Sequence, residues 1–349
     1  MKSVWNYYYS VTKRLLLLAG QWPYQRRRER LLRVTVTTMI SITYIIPQIG
    51  RIIQCDRNVQ CLLMISPSYL MVVIVLVKVY ACHFNNSKIK HLTDQVYNDW
   101  ENIKIPEEYE IMKTYAAKAG LFSAIYTLYV VTTAVIFYLI SLTPQILDII
   151  LPLNESRPIL LPYEGHYFVD DTQYYFYILF HAIVGSLIIC PGPIAHDCLI
   201  VTYIEHVCSI FAITGFRFEN LACNENIDMP NNNPDNVYNK KIALSIQAHW
   251  RALQFAELLA NTFSISFMIQ ILLATVSMSL SLFIVRVLLY NGLWYKIPVK
   301  SQRMLLHVMR KCLQPNFLTA GKIYIFSLKS FSTVLQTSMS YFTMLESFE

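Results

Sequence analysis

Polar residues that could act on ions lie close together in an otherwise apolar segment near the C-terminal end of the chain. Gln336, Thr337 and Ser340 stand about one turn apart on the helix that this segment is predicted to form. Such side chains can line a water-filled path for ions, and they can equally hydrogen-bond to a neighbouring helix within a membrane. The pattern therefore predicts a membrane helix with protein or water along one side, and it leaves both roles open.

A second group of ionisable residues, His196, Asp197, Glu205 and His206, lies in the fourth apolar run of the chain. Such side chains are costly in lipid, but these lie toward the cytoplasmic end of the run, where the helix is expected to leave the bilayer. We therefore predict that they are solvated or contact another subunit. No set of four zinc ligands occurs at a recognised spacing, so no metal is predicted.

Motifs of common enzymes are lacking from the sequence. It contains only nine glycines, and no phosphate-binding loop, nucleophile elbow or zinc-protease helix occurs. We therefore predict neither an enzyme nor a cofactor.

Composition places the chain in a membrane. Of its 349 residues, 55% are hydrophobic and only 15% are charged, and this is too apolar for an ordinary soluble domain. The net charge of +7 comes from short basic clusters between apolar runs. Because these clusters do not form one basic module, no nucleic-acid partner is predicted, and the charges are better explained as signals of membrane topology.

The apolar runs predict an all-α membrane protein with six recognisable spans. A bilayer crossing needs about 20 residues, so the fourth and fifth runs are long enough for their helices to extend beyond the lipid. The runs cover about residues 34–53, 62–81, 119–142, 174–214, 258–289 and 318–345.

Lysine and arginine counts orient the spans. Eight of these residues precede the first run, which predicts a cytoplasmic N-terminus, and the next four connections alternate between basic-poor and basic-rich. The fifth connection, residues 290–316, breaks the alternation because it carries five basic residues and no acid where an extracellular loop is due. Either the run 258–289 does not cross the membrane as this assignment of spans requires, or one span is missing before Tyr290.

Two features concern the predicted extracellular loops. Cys55 and Cys61 flank the first of them and could pair, but buried free cysteines are common, so we expect no disulfide. Asn154 begins an Asn-Glu-Ser glycosylation motif in the second loop, although a three-residue pattern also arises by chance.

Four segments resemble insect odorant receptors of a hymenopteran-like type. They are residues 290–295 (Tyr-Asn-Gly-Leu-Trp-Tyr), 318–321 (Leu-Thr-Ala-Gly), 215–217 (Gly-Phe-Arg) and 249–256 (His-Trp-Arg-Ala-Leu-Gln-Phe-Ala). The resemblance implies an odorant-specific tuning subunit that forms a heterotetramer with a shared co-receptor. Such a subunit would belong to an odorant-gated, non-selective cation channel in the plasma membrane of olfactory sensory neuron dendrites, with a small volatile molecule as its ligand and the lipid bilayer around it.

The resemblance also sharpens the break in topology. Members of this family have seven spans, and the sixth ends just before the Tyr-Asn motif. Here Leu289 runs directly into Tyr290, so a span with its loops, on the order of 40 residues, is absent. A spliced-out exon, an error in the gene model or a degenerate receptor would each produce this junction, and each predicts a chain that does not form a working channel.

Candidate site residues follow from the resemblance. It implies a membrane bundle with the odorant pocket in residues 1–289, and a cytoplasmic anchor with a pore-lining helix in residues 290–349. The predicted pocket residues are Met64, Tyr69, Thr133, Phe137, Tyr138, Tyr174, Tyr175, Ile178 and His181. The predicted pore and gate residues are Gln336, Thr337, Ser340, Met344, Glu346 and Ser347.

Three other classes of membrane protein remain as alternatives. An insect gustatory receptor loosely matches the ending from Ser340 to Phe348, but residues 290–295 and 318–321 favour the odorant branch. A G-protein-coupled receptor requires an extracellular N-terminus, which the basic N-terminal region opposes. A transporter predicts internal repeats and matching broken helices, of which only residues 191–193 (Pro-Gly-Pro) offer a trace.

Overall fold

The computed structural model describes most of the chain as long helices. It describes residues 2–56, 58–152, 157–220 and 234–291, and also residues 299, 301–304, 306, 318–320, 324–326, 333, 336 and 340. In order, the helices are α1 (Lys2–Tyr7), α2 (Ser10–Ala19), α3 (Arg27–Gln54), α4 (Val59–Phe84), α5 (Asn86–Asn102), α6 (Pro106–Ile150), α7 (Tyr175–Ile189), α8 (Pro191–Glu219) and α9 (Pro234–Asn291).

Five segments of the described chain are long and apolar enough to cross a membrane. They are α3, α4, α6, the α7–α8 pair and the part of α9 from Lys241 to Ser281. Helix α9 has 58 residues, so at 1.5 Å per residue it is about 85 Å long and exceeds the roughly 30 Å hydrocarbon layer. The predicted all-α membrane fold is confirmed, while the orientation and the total number of spans stay predictions.

Proline divides the fourth apolar run into two helices. Helix α7 ends at Ile189, and α8 begins at Pro191 after the single residue Cys190. Proline has no backbone N–H to donate and suits the first position of a helix. The run that was predicted as one unit therefore contains a break at Cys190.

The short connection between α3 and α4 contains a disulfide bond that the sequence did not predict. Cys55 follows the last residue of α3, and Asn58 caps α4 by accepting hydrogen bonds from the backbone N–H groups of Gln60 and Cys61, at 3.0 and 3.4 Å. This tight connection holds the Cα atoms of Cys55 and Cys61 5.7 Å apart, and the two residues form a disulfide. The expectation that both are free was wrong.

A hydrophobic core lies at one end of the bundle, which we call the base. There α1 and α2 pack with α5 and with the middle parts of α8 and α9. Trp5 and Leu16 are completely buried together with Tyr203 of α8, and Trp5 meets Trp22 edge to face at 5.1 Å. The basic N-terminal region therefore does more than orient the chain, because its apolar residues form part of the core.

Three of the four ionisable residues singled out in α8, His196, Asp197 and His206, have partners or are buried inside the subunit, contrary to the prediction that they are solvated or contact another subunit, whereas Glu205 is half-buried. His196 and His206 are buried. The carboxylate of Asp197 contacts the Lys78 ammonium of α4 at 2.6 Å, and His206 lies 3.1 Å from Asp99 of α5. The charge count could not show that acids and bases of separate helices meet here.

The predicted last helix, residues 318–345, is only partly helical where the structure describes it. Leu318–Ala320 (β1) pairs antiparallel with Tyr324–Phe326 (β2), and the aromatic and β-branched residues of β2 suit such pairing. Thr333, Gln336 and Ser340 are helical. The structure thus differs from the prediction at the start of this segment.

Candidate ligand site and pore segment

A group of aromatic side chains gathers at the end of the bundle opposite the base. We call it the aromatic cluster and define it as Tyr44, Tyr138, Tyr163, Tyr167 and His181. The ring of Tyr44 stacks on Tyr163 at 5.5 Å between centroids and lies 5.1 Å from the His181 ring. The cluster joins α3, α6 and α7 to the connection between α6 and α7.

The lack of a side chain at Gly185 lets α3 approach α7 in this region. A Cβ atom at that position would lie 2.4 Å from the Tyr44 ring. Tyr44 is therefore held directly against the backbone of α7, and its hydroxyl donates to the Ala182 carbonyl. The hydroxyl of Tyr138 donates to the same carbonyl at 2.9 Å.

His181 is the polar centre of the aromatic cluster. Its Nε2 atom lies 3.0 Å from the Thr43 hydroxyl, and its Nδ1 atom lies 3.2 Å from the Tyr167 hydroxyl. A neutral imidazole offers one donor and one acceptor, and hydroxyl groups can satisfy both. Burial raises the pKa of Tyr163 and of Tyr167, so both phenols keep their protons at neutral pH. The cluster thus combines apolar ring surface with a few neutral hydrogen-bonding groups.

The predicted pocket residues divide into those that face the protein and those that face outward. Tyr138 and His181 belong to the aromatic cluster, while Tyr175 and Ile178 are buried in packing and the Tyr175 hydroxyl donates to the Ser141 carbonyl at 2.7 Å. The residues with exposed side chains are Thr133, Phe137 and Tyr174. The predicted set is therefore not one continuous lining.

A cavity of about 210 Å³ lies beside the disulfide at the start of α4. Met64 lines it, whereas Tyr69 does not. Arg51 and Glu164 also line it and form an ion pair at 3.8 Å. Glu164 directly follows Tyr163 in the chain, so one wall of this cavity belongs to the loop that also carries part of the aromatic cluster.

Sequence reasoning missed Tyr44, Tyr163 and Tyr167. Tyr44 lies on the first span, which the family resemblance did not assign to the pocket, and the other two lie in a predicted loop. One signal was available: Tyr163 and Tyr167 form part of a tyrosine-rich segment directly before the apolar run that contains His181.

A larger cavity, of about 660 Å³, lies at the base between the start of α6, the end of α8 and the start of α9. Its described lining includes Glu107, Lys241 and Arg251, and also Glu108, which forms a two-pronged ion pair with Arg217 at 2.6 and 2.7 Å. This concentration of charge does not suit a volatile apolar ligand.

Only part of the predicted pore segment is described. Gln336 and Ser340 are exposed, and the Ser340 hydroxyl donates to the Gln336 carbonyl at 2.9 Å, as expected for residues one turn apart. Thr337, Met344, Glu346 and Ser347 lie outside the described residues, as does the glycosylation candidate Asn154. The pore assignment therefore stays a prediction.

Long apolar helices with exposed apolar faces define the class of this protein as a multi-pass helical membrane protein. On α6, for example, Leu121, Leu128 and Ile140 are all more than half exposed, as lipid-facing residues are. The family model described as 7tm Odorant receptor matches residues 58–291. The chain belongs to the odorant receptor family.

Two solved structures of an insect receptor are similar to this chain. The olfactory receptor OR5 from Machilis hrabei in complex with eugenol matches with a TM-score of 0.50 and 12% identity, over 99% of this chain and 98% of that chain. The structure of the same receptor reported without that ligand gives a TM-score of 0.49 and 12% identity, over 97% of each chain. The comparison with curated proteins found no match.

Proposed function

We propose that this chain is an odorant-binding subunit of an odorant-gated, non-selective cation channel. With the missing span restored, it would act with a shared co-receptor as a heterotetramer in the plasma membrane of olfactory sensory neuron dendrites. Membership of the odorant receptor family supports the receptor role. The pore would be formed by the last helix, with Met344 at the gate and Glu346 and Ser347 near its outer mouth.

The aromatic cluster is the observation that carries the ligand-binding part of the proposal. Odorant-sized ligands need a mostly apolar, aromatic site with a small number of polar groups, and the environment of His181 combines both. A solved relative binds eugenol, a small volatile molecule. The ligand would lie between α3, α6 and α7, with Met64 and the cavity beside the disulfide near its route of entry.

Eugenol binding to the purified full chain tests this site. His181→Phe keeps a ring but removes both nitrogens, and we expect eugenol to bind about tenfold more weakly, equivalent to roughly 1.4 kcal/mol, because a hydrogen-bonding centre is lost. Binding can be followed by tryptophan fluorescence or by the rise in melting temperature that the ligand causes.

His166→Phe is the matched control. It makes the same substitution in the neighbouring loop, at a histidine whose ring contacts Phe168 and has no side-chain hydrogen bond within the described residues. Eugenol affinity should be unchanged in this variant. Equal weakening in both variants, or in neither, would contradict the assignment of His181 to the ligand site.

Current measurements test the channel part of the proposal. The chain and a co-receptor are expressed together in a cell line, and odorant-evoked cation current is recorded. Because the sixth span of the family is missing at the Leu289–Tyr290 junction, we expect no current from the chain as written and clear current once a family span is inserted there. Current from the unaltered chain would refute the prediction that the missing span prevents channel function. Absence of current from both chains would contradict the proposal that the protein is a channel subunit.

A further inference from the structure

Three exposed leucines at the base each have an exposed arginine one helical turn before them. The pairs are Arg14 and Leu18 on α2, then Arg27 and Leu31, and Arg28 and Leu32, both on α3. Residues four apart lie on the same face of a helix. Each pair therefore places a cation beside an apolar side chain that is open to the surroundings.

The end of α2 packs directly against the start of α3. The Arg33 guanidinium on α3 donates to the Leu18 carbonyl on α2 at 2.9 Å. A Cβ atom added to Gly20 would lie only 2.7 Å from the Arg33 Cβ. The backbone of Leu18 is thus held next to the first turns of α3, which carry the other two pairs.

The turn that carries the arginines is held firmly by the core. Gly20 ends α2 with a φ of 70°, and the next backbone N–H, that of Gln21, donates to the Leu16 carbonyl at 2.8 Å. Trp22 is buried, and the Tyr24 hydroxyl donates to Asp94 of α5. The arginines therefore project from an ordered surface, and little ordering is needed when they bind.

Positive charge dominates this surface. Arg14, Arg26, Arg27 and Arg28 are exposed and have no ion pair within the described part of the chain, and the adjacent acid is Glu29. We infer that these arginines form a docking surface for the monovalent anionic headgroups of phospholipids, with Leu18, Leu31 and Leu32 inserted in the neighbouring acyl chains. The predicted cytoplasmic N-terminus places the surface at the leaflet that is rich in anionic lipid.

The geometry favours several monovalent headgroups over one polyphosphate. Residues 26–28 are consecutive at the start of a helix, where successive side chains are rotated by about 100°. Their guanidinium groups therefore fan out and do not converge on one ligand. The surface therefore binds several anionic lipid headgroups through their charge, and this role is additional to odorant binding.

Spin-labelled lipids test the inference on the full chain in phosphatidylcholine membranes. Labelled phosphatidylserine and phosphatidylglycerol should associate with the protein equally, and both more strongly than labelled phosphatidylcholine. In R26Q/R27Q/R28Q the preference at this surface should fall about fivefold for each arginine removed. The control K104Q/K118Q/R303Q, which also removes three exposed positive charges, should retain most of the preference.

The dependence of the lipid preference on salt is a second test, and it uses the unaltered protein. Potassium chloride should weaken the preference in the unaltered protein, and potassium phosphate at equal ionic strength should weaken it by the same amount. The inference is overturned if the two triple variants lose the preference equally or if salt has no effect. It is also overturned if phosphate displaces the lipid more strongly, or if phosphatidylserine binds and phosphatidylglycerol does not, since either result indicates a specific pocket.

Discussion

Asp197→Ala is expected to lower the free energy of unfolding by about 2–4 kcal/mol, somewhat less than the cost of removing one partner of a fully buried ion pair, because the side chains of Asp197 and Lys78 are 22% and 13% exposed. Both carboxylate oxygens of Asp197 contact the Lys78 ammonium, at 2.6 and 2.8 Å. The Tyr126 hydroxyl donates to the same carboxylate at 2.8 Å, and His196 lies 3.0 Å away. Loss of the carboxylate leaves the Lys78 charge without its counterion among apolar helices.

Two further variants separate this effect from a general cost of substitution. The double variant K78M/D197L removes both charges and should recover most of the stability, because a buried pair can be replaced by apolar residues at little cost. Glu110→Ala breaks an exposed pair with Lys113 and should leave stability almost unchanged, because exposed ion pairs contribute little. Unfolding in detergent, followed by tryptophan fluorescence, measures all three. An Asp197→Ala variant no less stable than Glu110→Ala would contradict the account.

The fold class could be predicted because hydropathy is a local property of the sequence. Each of the first five apolar runs coincides with a helical segment that is long enough to cross a membrane, and the fourth of these segments is the α7–α8 pair. The Lys78–Asp197 pair could not be predicted in the same way, since its residues are separated by 119 positions in the chain. Charge counting places such residues at a depth in the membrane but does not identify their partners.

The candidate site shows the same limit at the level of single helix faces. Phe137 and Tyr138 are adjacent in α6 and were both predicted to line the pocket. Successive residues are rotated by about 100°, and only Tyr138 reaches α7, whereas Phe137 is half exposed. Thr133 lies four residues before Phe137 and is exposed with it. Sequence resemblance selected a segment of the helix, but it did not show which face of that segment meets the neighbouring helices.

The N-terminal region illustrates a different failure of sequence reasoning. Its eight basic residues were interpreted as a topology signal, and the packing of the aromatic residues between them was not predicted. Trp5, Tyr9 and Trp22 are all buried, and Trp5 meets the other two rings at 5.0 and 5.1 Å. A segment as short as α1, with six residues, is not stable alone, so its helical form depends on these tertiary contacts.

Trp5→Ala is therefore expected to lower the free energy of unfolding by about 3–5 kcal/mol, the usual cost of removing a buried tryptophan side chain. It should also release α1 from the base, because the Trp5 side chain is completely buried there. Loss of stability is measured by unfolding in detergent, and release of α1 by faster proteolysis within the first ten residues.

Tyr7→Ala is the matched control, because it removes another large aromatic side chain from the same helix, one that is 75% exposed. It should change stability by less than about 0.5 kcal/mol and leave proteolysis unaltered. Trp5→Phe should fall between the two, since it keeps an aromatic ring in the core and removes an indole N–H that has no partner within the described residues. If Trp5→Ala and Tyr7→Ala were equally stable, α1 would not be part of the core, and the basic residues alone would explain the N-terminal region.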